Sequence, residues 1–537
     1  MHVGLLAGVC LVLFLLNAHS LPLADPEEAR CGLIVRDMLE HGHWLVPHLR
    51  RQPYLDKPAP YFWLAAAAVR LTGSEEFGGR LISALAGLAA VLVARAFARR
   101  VFASDAAGLV AGLVLATSGE FLFLARWYRM DMPFAAAAWG ALWWFWRREE
   151  ARLAGGPAGK VRAWVGFYLL AALASLFKGP AGLLLPALVV AAYFLLARQG
   201  RRILEFFSLP GLGAYLLLAA PWYVAATWNQ PGFAQEFFLR QNLQRFTGSG
   251  GLGHNWPGVL YLPIVLAGTL PWTLYLPGAF LRTFPLRWRR RNDRPAFLFL
   301  WLAALVPLAF FALSGTKLPA YVLPVFAPLA VLVGGMLGTW AVSRQPDRLM
   351  SAGAVALLIS VAALPAAPLA MELWLRTAGP WLGVPFAISL TAAAAMWWAL
   401  KRNRRAVLAG WAGAAVVGVY LYLILHSTGP AYERMSLKPL ALAPGEGQLR
   451  ASRVSFWPDS NLSFLFYAGM EDAQAFRSVR RGGLAALVQW FQAEGPAYCL
   501  VAGADHVAQL RQACPAPLWA LGHRGRFWLI SNRAPKP

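Results

Sequence analysis

The sequence has 537 residues, of which 58% are hydrophobic and 14% are charged, and it contains 24 tryptophans. This composition excludes a single water-soluble core and indicates a chain that folds in a lipid bilayer. The formal net charge is +24, but the basic residues occur as short bursts between apolar stretches, which indicates membrane topology and not a nucleic-acid-binding face.

Apolar stretches of about 20 residues, each long enough to cross the hydrocarbon layer, predict a polytopic α-helical membrane protein with about 13 transmembrane helices. The first stretch, Val3 to Leu16, precedes a weak cleavage-site match at Ala18-His19-Ser20, but no Lys or Arg stands in front of it. We therefore expect an uncleaved helix. The predicted spans are residues 3–19, 77–98, 105–124, 132–146, 163–177, 180–197, 206–226, 258–281, 296–314, 319–342, 350–370, 383–400 and 406–426.

The basic bursts fall in or beside alternate loops between these spans. By the positive-inside rule such loops are cytoplasmic, so we expect a cytoplasmic N-terminus and an outer C-terminus in a bacterial inner membrane. The opposite loops, 20–76, 227–257 and 371–382, are longer or richer in Trp, Pro, His and acidic residues, and we expect the chemistry there. The bursts are at residues 95–100, 147–152, 198–202, 287–291, 344–348 and 401–405.

Hydropathy falls after the last predicted span. Apolar runs at Tyr498–Val501 and Phe527–Ser531, around a helical stretch at His506–Ala513, predict a small α/β domain outside the membrane. We therefore expect a transmembrane domain at 1–430, which includes an outer, catalytic loop at 20–76, and a periplasmic α/β domain at 431–537.

The cysteines give no sign of a metal site. Two lie near the N-terminus, Cys10 and Cys31, and two near the C-terminus, Cys499 and Cys514. None has metal-ligand spacing, so the cysteines do not predict a structural zinc site. Cys499 and Cys514 either pair in an oxidising compartment or remain two packed thiols.

Acidic residues are concentrated in the first outer loop, at Asp25, Glu27 and Glu28, before a helical pattern. One interpretation is structural: Asp25 caps the helix, Pro26 is its first residue and Glu28 completes a capping box. The other is chemical, because three carboxylates within four residues exceed what a cap requires, and one of them would act as a base or hold a cation.

Charged residues also stand near the outer ends of other helices. Lys57 follows Asp56 and precedes two prolines that restrict the backbone, so it is either a directed site residue or a lysine that snorkels toward lipid headgroups. Asp131, with Arg126 and Arg129 upstream, is either a helix cap paired to arginine or a site acid.

Three further cationic or titratable residues, Lys178, His254 and Lys317, recur at outer helix ends. Lys178 and Lys317 each stand two residues before a proline at a helix start, although positive-inside statistics disfavour lysine in short outer loops. Cations held on that side predict a bound anion, and a phosphate or pyrophosphate at the membrane interface would suit them.

Together these residues form part of an ordered set of motifs between about residues 20 and 330. The motifs are Glu28-Ala29-Arg30, Arg36-Asp37-Met38-Leu39, Tyr54-Leu55-Asp56-Lys57-Pro58, Met130-Asp131-Met132-Pro133, Lys178-Gly179-Pro180, Pro221-Trp222-Tyr223, Arg240 to Phe246, and Leu313 to Pro324. With them the chain resembles the polyprenyl-phosphate-sugar-dependent membrane glycosyltransferases, specifically the bacterial 4-amino-4-deoxy-L-arabinose transferase and protein O-mannosyltransferase group. The resemblance implies a large-cavity GT-C fold.

The resemblance also implies an activity. A sugar carried on undecaprenyl phosphate or a similar lipid would be transferred, with inversion at the anomeric carbon, to a cell-envelope acceptor such as lipid A, a protein or a glycan. Positive groups would stabilise the departing phosphate while a carboxylate accepts a proton from an acceptor hydroxyl, and a phosphate acceptor would need no base. The partners implied are this donor, the acceptor and the bilayer, with no nucleic acid.

Carried over residue by residue, the family's Asp-Glu pair falls on Glu27 and Glu28. The sequence departs from the pattern there, so either Asp25 or Glu27 is the candidate acid. By the same resemblance Lys57 would hold the donor phosphate, and Asp131 would orient an acceptor or assist the acid.

Other residues are assigned to the lipid or to a metal by the same resemblance. A positive field and aromatic contact around the lipid phosphate would come from Arg30, Lys178, Arg245, Lys317 and Tyr321. His254 and Asp56 would take part in a site for a divalent metal ion, and no other cofactor is implied.

Two other interpretations stay open from the sequence. A transporter or flippase for a lipid-linked or anionic solute would place its charged site near the bilayer midplane and often has paired halves, whereas here the charges cluster at one surface and the halves do not match. The other interpretation is a non-catalytic relative whose C-terminal domain binds envelope partners. It stays open because Glu27 stands where the family has an aspartate.

Overall fold

The computed structural model describes residues 2–155, 164–249, 256–284, 295–343, 347–363, 365–366, 369–370, 383–445, 447–450, 452–470 and 476–535. They divide into two compact units. The helical unit comprises Met1–Ala18, Leu55–Ala68 and Arg80–Ser427, and the mixed unit comprises His19–Tyr54, Val69–Gly79 and Thr428–Pro537.

Helices account for most of the described residues up to residue 430. Up to residue 230 they are His2–Leu15, Glu27–His41, Ala59–Thr72, Glu75–Val101, Asp105–Ala116, Gly119–Ala125, Asp131–Leu153, Val165–Lys178, Ala181–Leu196 and Leu209–Asn229, with a 3-10 segment at Gly200–Phe207. Beyond it they are a π-helical segment at Gln235–Gln244, then Arg245–Thr247, Tyr261–Gly268, Leu276–Thr283, Pro295–Leu313, Leu323–Val342, Arg348–Ala363, Gly383–Lys401, Arg405–Tyr422 and Thr428–Met435.

Small residues let helices of the helical unit approach closely. Helix Leu323–Val342 packs on helix Asp105–Ala116, and a Cβ atom at Gly334 would lie 2.3 Å from the Ala111 backbone. A Cβ atom at Gly338 would lie 2.5 Å from the backbone of Ala106. Without a hydrophobic driving force between helices in lipid, such backbone contact is a principal source of packing energy.

Six of the described helices are long and apolar enough to cross a membrane, and two sharply bent helix pairs bring the number to eight if each pair is one span. Four shorter apolar helices accompany them. The chain is therefore a multi-pass membrane protein, while the predicted number of about 13 spans is not confirmed. The six helices are Glu75–Val101, Leu209–Asn229, Pro295–Leu313, Pro319–Val342, Gly383–Lys401 and Arg405–Met435.

The predictions of continuous helices at 105–124 and 258–281 are wrong, because each helix is broken. The first bends by 70° between Ala116 and Gly119, where the Thr117 and Ser118 hydroxyls donate to carbonyls four residues back, at 2.5 and 2.7 Å; such back-bonding competes with the helix ladder. The second bends by 104° near Pro271, which has no N–H to donate.

The mixed unit contains a four-stranded sheet. Its strands run in the order Arg453–Trp457, Ala497–Ala502, Phe527–Ser531 and Trp519–Arg524, with the first pair parallel and the others antiparallel. Every residue of Ala497–Ala502 is buried, as expected for a central strand covered on both faces. The helices on this sheet include Phe476–Gln492 and Ala504–Ala513.

The strands and helix predicted at Tyr498–Val501, Phe527–Ser531 and His506–Ala513 are present, so this part of the chain has α/β structure. Cys499 and Cys514 lie in its apolar core and are free thiols, and burial raises the pKa of Cys499 above its ordinary value. The mixed unit also includes residues 19–54, whereas the sequence predicts that they belong with the transmembrane domain at 1–430.

Candidate functional site

The ends of two neighbouring helices bring together a carboxylate and two cations in the helical unit. Asp131 is the first residue of its helix and Lys178 the last residue of the next one. Their side chains form an ion pair, and Arg129 Nε lies 2.6 Å from the second carboxylate oxygen of Asp131. Asp131 is only 1% exposed, so its charge is neutralised inside the protein and not by water.

A second group of charges stands directly before helix Ala59–Thr72. Lys57 Nζ donates to the Asp56 carbonyl at 3.0 Å and lies 3.8 Å from the Asp56 carboxylate. Arg245 Nη1 approaches the same carboxylate at 3.5 Å and donates to Gln241 Oε1 at 3.1 Å. Asp56 therefore lies between a lysine and an arginine.

The two groups act on each other electrostatically. Burial lowers the pKa of Lys57 below its ordinary value; the Asp56 charge opposes this shift, and Arg245, Lys178 and Arg129 add to it. Four cations against two carboxylates leave a formal net charge of +2. An excess of positive charge in a partly dehydrated site favours a bound anion.

Aromatic rings line the Lys178 side of this cation cluster, which we define as Lys57, Arg129, Lys178 and Arg245. The Lys178 ammonium lies 4.7 Å from the ring centre of Tyr321 and 5.0 Å from that of Phe134. Both distances are within the range of a cation–π contact. Tyr321 thus helps to position the lysine.

Backbone geometry at Gly179 shapes the same edge of the cluster. Gly179 has φ +97°, which a side chain disfavours, and a Cβ atom there would lie 3.0 Å from the Phe237 ring and 3.2 Å from Asn242. These two residues belong to the π-helical segment that leads to Arg245. Glycine therefore allows the turn after Lys178 and the close approach of the segment that carries Arg245.

Lys317 is held by its own loop. It is buried, and its Nζ donates to the Ser314 carbonyl at 2.5 Å. The loop in turn donates from Gly315 N to the Phe246 carbonyl at 2.6 Å, next to Arg245. The structure therefore ties Lys317 to the segment that carries Arg245, while its contribution to a lipid phosphate stays a prediction.

The first-loop carboxylates belong to the mixed unit, where their surroundings differ. Glu28 is fully buried and its Oε2 accepts from the Ala24 amide at 3.0 Å. Glu27 is half-buried and forms an ion pair with Arg30 at 3.2 Å. Of these two acids, Glu27 is the one that water or a substrate can reach.

Asp25 caps a helix, but not the helix that its sequence predicts. Its Oδ1 accepts from the amides of Leu462 and Ser463 at 2.7 and 3.1 Å, at the start of helix Leu462–Tyr467. The predicted capping box is wrong: helix Glu27–His41 begins after Pro26 without a side-chain cap. Burial raises the pKa of Asp25, while the two amides lower it, as does Arg30.

The predicted divalent-ion site receives no support from the residues around Asp56. His254 lies outside the described residues. The Asp56 carboxylate faces Lys57 and Arg245, and their positive charges oppose a second cation there. A metal at this position stays a prediction, and we derive no chemical step from it.

From the sequence, Arg129 is predicted only as a possible partner of Asp131 and not as a residue of the site. The feature of the sequence that could have identified Arg129 is its position two residues before Asp131, at the turn where a helix begins. Sequence reasoning also missed Asp37, His43 and His48, which come together in the mixed unit; their spacing is irregular, and only the fold after helix Glu27–His41 shows that they meet.

Comparisons with known proteins find relatives that match large parts of this chain. A family model described as dolichyl-phosphate-mannose-protein mannosyltransferase matches residues 56–225. The undecaprenyl phosphate-alpha-4-amino-4-deoxy-L-arabinose arabinosyl transferase of Edwardsiella ictaluri is 30% identical over 440 residues, which are 80% of this chain and 77% of the relative. Transferase 1 of Pseudomonas fluorescens (strain Pf0-1) is 31% identical over 342 residues, 64% of this chain and 58% of the relative.

A solved structure shares the fold. The crystal structure of ArnT from Cupriavidus metallidurans bound to undecaprenyl phosphate superposes with a TM-score of 0.80 at 22% identity, covering 99% of this chain and 98% of the other. The predicted GT-C membrane fold is therefore confirmed. The sequence matches to three Pseudomonas fluorescens relatives span only 57 to 58% of the length of those proteins.

Proposed function

Because this chain belongs to the polyprenyl-phosphate-sugar-dependent membrane glycosyltransferases of the aminoarabinose transferase and protein O-mannosyltransferase group, we propose that it transfers 4-amino-4-deoxy-L-arabinose from undecaprenyl phosphate to a cell-envelope acceptor. Transfer takes place at the periplasmic face of the bacterial inner membrane, with the N-terminus cytoplasmic and the α/β part outside. Lipid A is the acceptor that we would test first, before proteins and other glycans.

The cation cluster is the observation that carries this proposal. Its members stand at the ends of apolar helices or in the loops between them, where a lipid phosphate lies when its prenyl chain is in the bilayer. A transporter would need its charges near the midplane. The relatives are named transferases, so we do not propose transport.

The reaction is a displacement at the anomeric carbon. The acceptor oxygen forms a bond to that carbon as the bond to the polyprenyl phosphate oxygen breaks, and the electron pair leaves with the phosphate. Lys57 and Arg245 bind the phosphate oxygens and stabilise the charge that grows on them. Lys178 and Arg129 add positive field from the buried side of the cluster.

Asp131 has a positioning role in this proposal. Its carboxylate is enclosed by Lys178 and Arg129, so it holds the cations in place and does not deprotonate the acceptor. This differs from the expectation that Asp131 orients the acceptor. Tyr321 supports the same lysine through its ring.

Glu27 is the carboxylate that we propose on the acceptor side. Its side chain is accessible to an acceptor and forms an ion pair with Arg30. In contrast, the Glu28 carboxylate accepts from the Ala24 amide, and the Asp25 carboxylate accepts from amides at the start of helix Leu462–Tyr467. With a hydroxyl acceptor Glu27 takes up the proton that the acceptor loses. With a phosphate acceptor, which is already ionised, it orients the acceptor and no proton moves.

Purified protein in proteoliposomes tests the proposal directly. Undecaprenyl phosphate-linked aminoarabinose, labelled in the sugar, is supplied together with lipid A, and labelled lipid A is measured for the wild type and for Lys57→Ala. We expect product from the wild type and at least a hundredfold less from the variant. Donor that crosses the bilayer without product would replace the enzyme assignment by transport, and donor that is neither consumed nor moved would leave a binding protein.

A further inference from the structure

Two histidines and one aspartate of the mixed unit form a compact group after helix Glu27–His41. The possible ligand atoms of Asp37, His43 and His48 all lie within 4.8 Å of one another. Asp37 is on the last turns of the helix, and the histidines lie in the following loop and in the short strand His48–Leu49. The chain reverses at Gly42, which has φ +76°, and this reversal brings the histidines back to the helix.

Asp37 is a buried carboxylate that faces imidazoles. It is 7% exposed, and its two oxygens lie 3.6 Å from His41 Nδ1 and 2.9 Å from His43 Nδ1. A buried carboxylate is costly without a cation, and a carboxylate with imidazole nitrogens beside it is a ligand set that transition-metal ions use.

One hydrogen bond prepares His48 as a ligand. His48 Nδ1 lies 3.0 Å from the Val46 carbonyl, which can only accept, so Nδ1 donates and Nε2 is the nitrogen left to bind an ion. Metal-binding histidines are commonly fixed by such a bond from the other ring nitrogen. His43 Nδ1 lies 2.9 Å from Asp37 Oδ2, so these two atoms stand side by side as ligand atoms of one site.

The two rings also lie against each other. The centres of His43 and His48 are 3.9 Å apart with an angle of 28° between the planes. This contact holds the two rings side by side, as two ligands of one ion must be. The His43 side chain is 41% exposed, which leaves it room to rotate and an ion a path to enter.

We propose that Asp37, His43 and His48 form a binding site for a transition-metal ion, with Zn²⁺ as the expected occupant. Imidazole and carboxylate ligands suit Zn²⁺, whereas Mg²⁺ and Ca²⁺ require oxygen ligands. In a tetrahedral site with Zn–N distances of about 2.0 Å the ligand atoms are about 3.3 Å apart, so small side-chain rotations complete it. Water or His41 takes the fourth position.

The ion would act as a clip within the mixed unit. It joins the end of helix Glu27–His41 to the hairpin formed by His48–Leu49 and Gln52–Pro53, whose strands have only two residues each. Such short strands supply few hydrogen bonds of their own. A ligand that binds only the folded state raises the free energy of unfolding, by an amount that grows with the logarithm of its concentration over its dissociation constant.

Metal binding to the full-length, tag-free protein in detergent tests the site without any measure of turnover. After EDTA treatment and removal of the chelator, Zn²⁺ is titrated by calorimetry, and Co²⁺ is titrated as an optical reporter of tetrahedral coordination. We expect one Zn²⁺ per chain with a dissociation constant of 10 μM or tighter, a raised melting temperature, and no binding of Mg²⁺ at the same concentration.

His43→Gln and His48→Gln should each weaken Zn²⁺ binding at least tenfold. His523→Gln is the matched control, because His523 is an exposed histidine of the same unit outside this group, and it should bind like the wild type. Unchanged affinity in both site variants, or no binding by the wild type at 100 μM Zn²⁺, would overturn the proposal. Lys57→Ala should still bind Zn²⁺, so the outcome is independent of the proposed transferase activity.

Discussion

Lys178 and Asp131 form a buried ion pair although 47 positions of sequence separate them. Asp131 begins one helix and Lys178 ends the next, and these two helices pack against each other. A carboxylate is stabilised at a helix N-terminus and an ammonium at a C-terminus. The pair therefore holds the Lys178 ammonium at the edge of the cation cluster, in an orientation set by the packing of the two helices.

Asp131→Asn should lower kcat/KM for the lipid-linked donor by about 10- to 100-fold. The change weakens the hold on Lys178 and Arg129, because it removes a charged hydrogen bond worth about 1.5–3 kcal/mol. A loss of that size in transition-state stabilisation corresponds to a rate lower by about 10- to 100-fold. Initial rates in proteoliposomes give the measurement. Asp131→Glu keeps the charge and should recover part of the loss.

Asp105→Asn is the matched control for this change. Asp105 also begins a helix and pairs with an arginine, Arg99, at 2.7 Å, but it is 60% exposed. Exposed pairs contribute little, so this variant should retain activity within twofold. If Asp131→Asn behaved in the same way, Asp131 would not position the cluster.

The pH dependence of donor use should report on Lys57. Its pKa is lowered from the ordinary value of 10.5 by burial, so the ammonium that binds phosphate loses its proton at a lower pH than an exposed lysine does. We expect kcat/KM for the donor to fall as pH rises through this lowered pKa. In Lys57→Arg the fall should be absent, because guanidinium stays protonated; the same alkaline limb in both proteins would assign it to another group.

Much of this site could be predicted from the sequence, because charged residues at the ends of apolar helices are conspicuous. Lys57, Asp131, Lys178 and Arg245 were predicted separately, and the structure brings them together. The breaks at Thr117 and Pro271 were missed, since mean hydropathy does not register local hydrogen-bond competition or a missing N–H. The sequence could not show that Asp25 accepts from the Leu462 amide, because the two residues are 437 positions apart.

Variants of Asp25 and Glu27 should show that Asp25 has a structural role and Glu27 a chemical one. Asp25→Asn keeps an oxygen that accepts from the Leu462 and Ser463 amides, and asparagine caps helices as well as aspartate does, so transfer should stay within threefold of the wild type. Glu27→Gln removes the reachable charge, and with a hydroxyl acceptor, whose proton Glu27 takes up, it should lower kcat at least a hundredfold. The melting temperature of each variant is measured alongside, to separate unfolding from lost chemistry.

The opposite pattern, activity lost with Asp25→Asn and kept with Glu27→Gln, would move the chemical role to Asp25. Its raised pKa would then make it the stronger base. Loss of activity in neither variant would indicate that no first-loop acid takes part in transfer to the acceptor tested.

Glu149 should be essential for stability and not for transfer. It is fully buried, and Arg202 and Arg152 donate to its carboxylate at 2.8 and 2.7 Å. It lies on the same helix as Asp131 but 18 residues later, about 27 Å along the axis. Its removal leaves two arginines without their buried partner, so Glu149→Ala should lower the free energy of unfolding by about 3 kcal/mol.

The neighbouring Glu150→Ala provides the comparison, because Glu150 pairs with Arg100 at 2.7 Å while both side chains remain partly exposed. That change should cost less than about 1 kcal/mol. Thermal unfolding in detergent measures both, and transfer per folded molecule should equal that of the wild type. Equal destabilisation by the two variants would show that burial does not strengthen the Glu149 pairs, and a loss of transfer without a loss of stability would couple this end of the helix to the cation cluster.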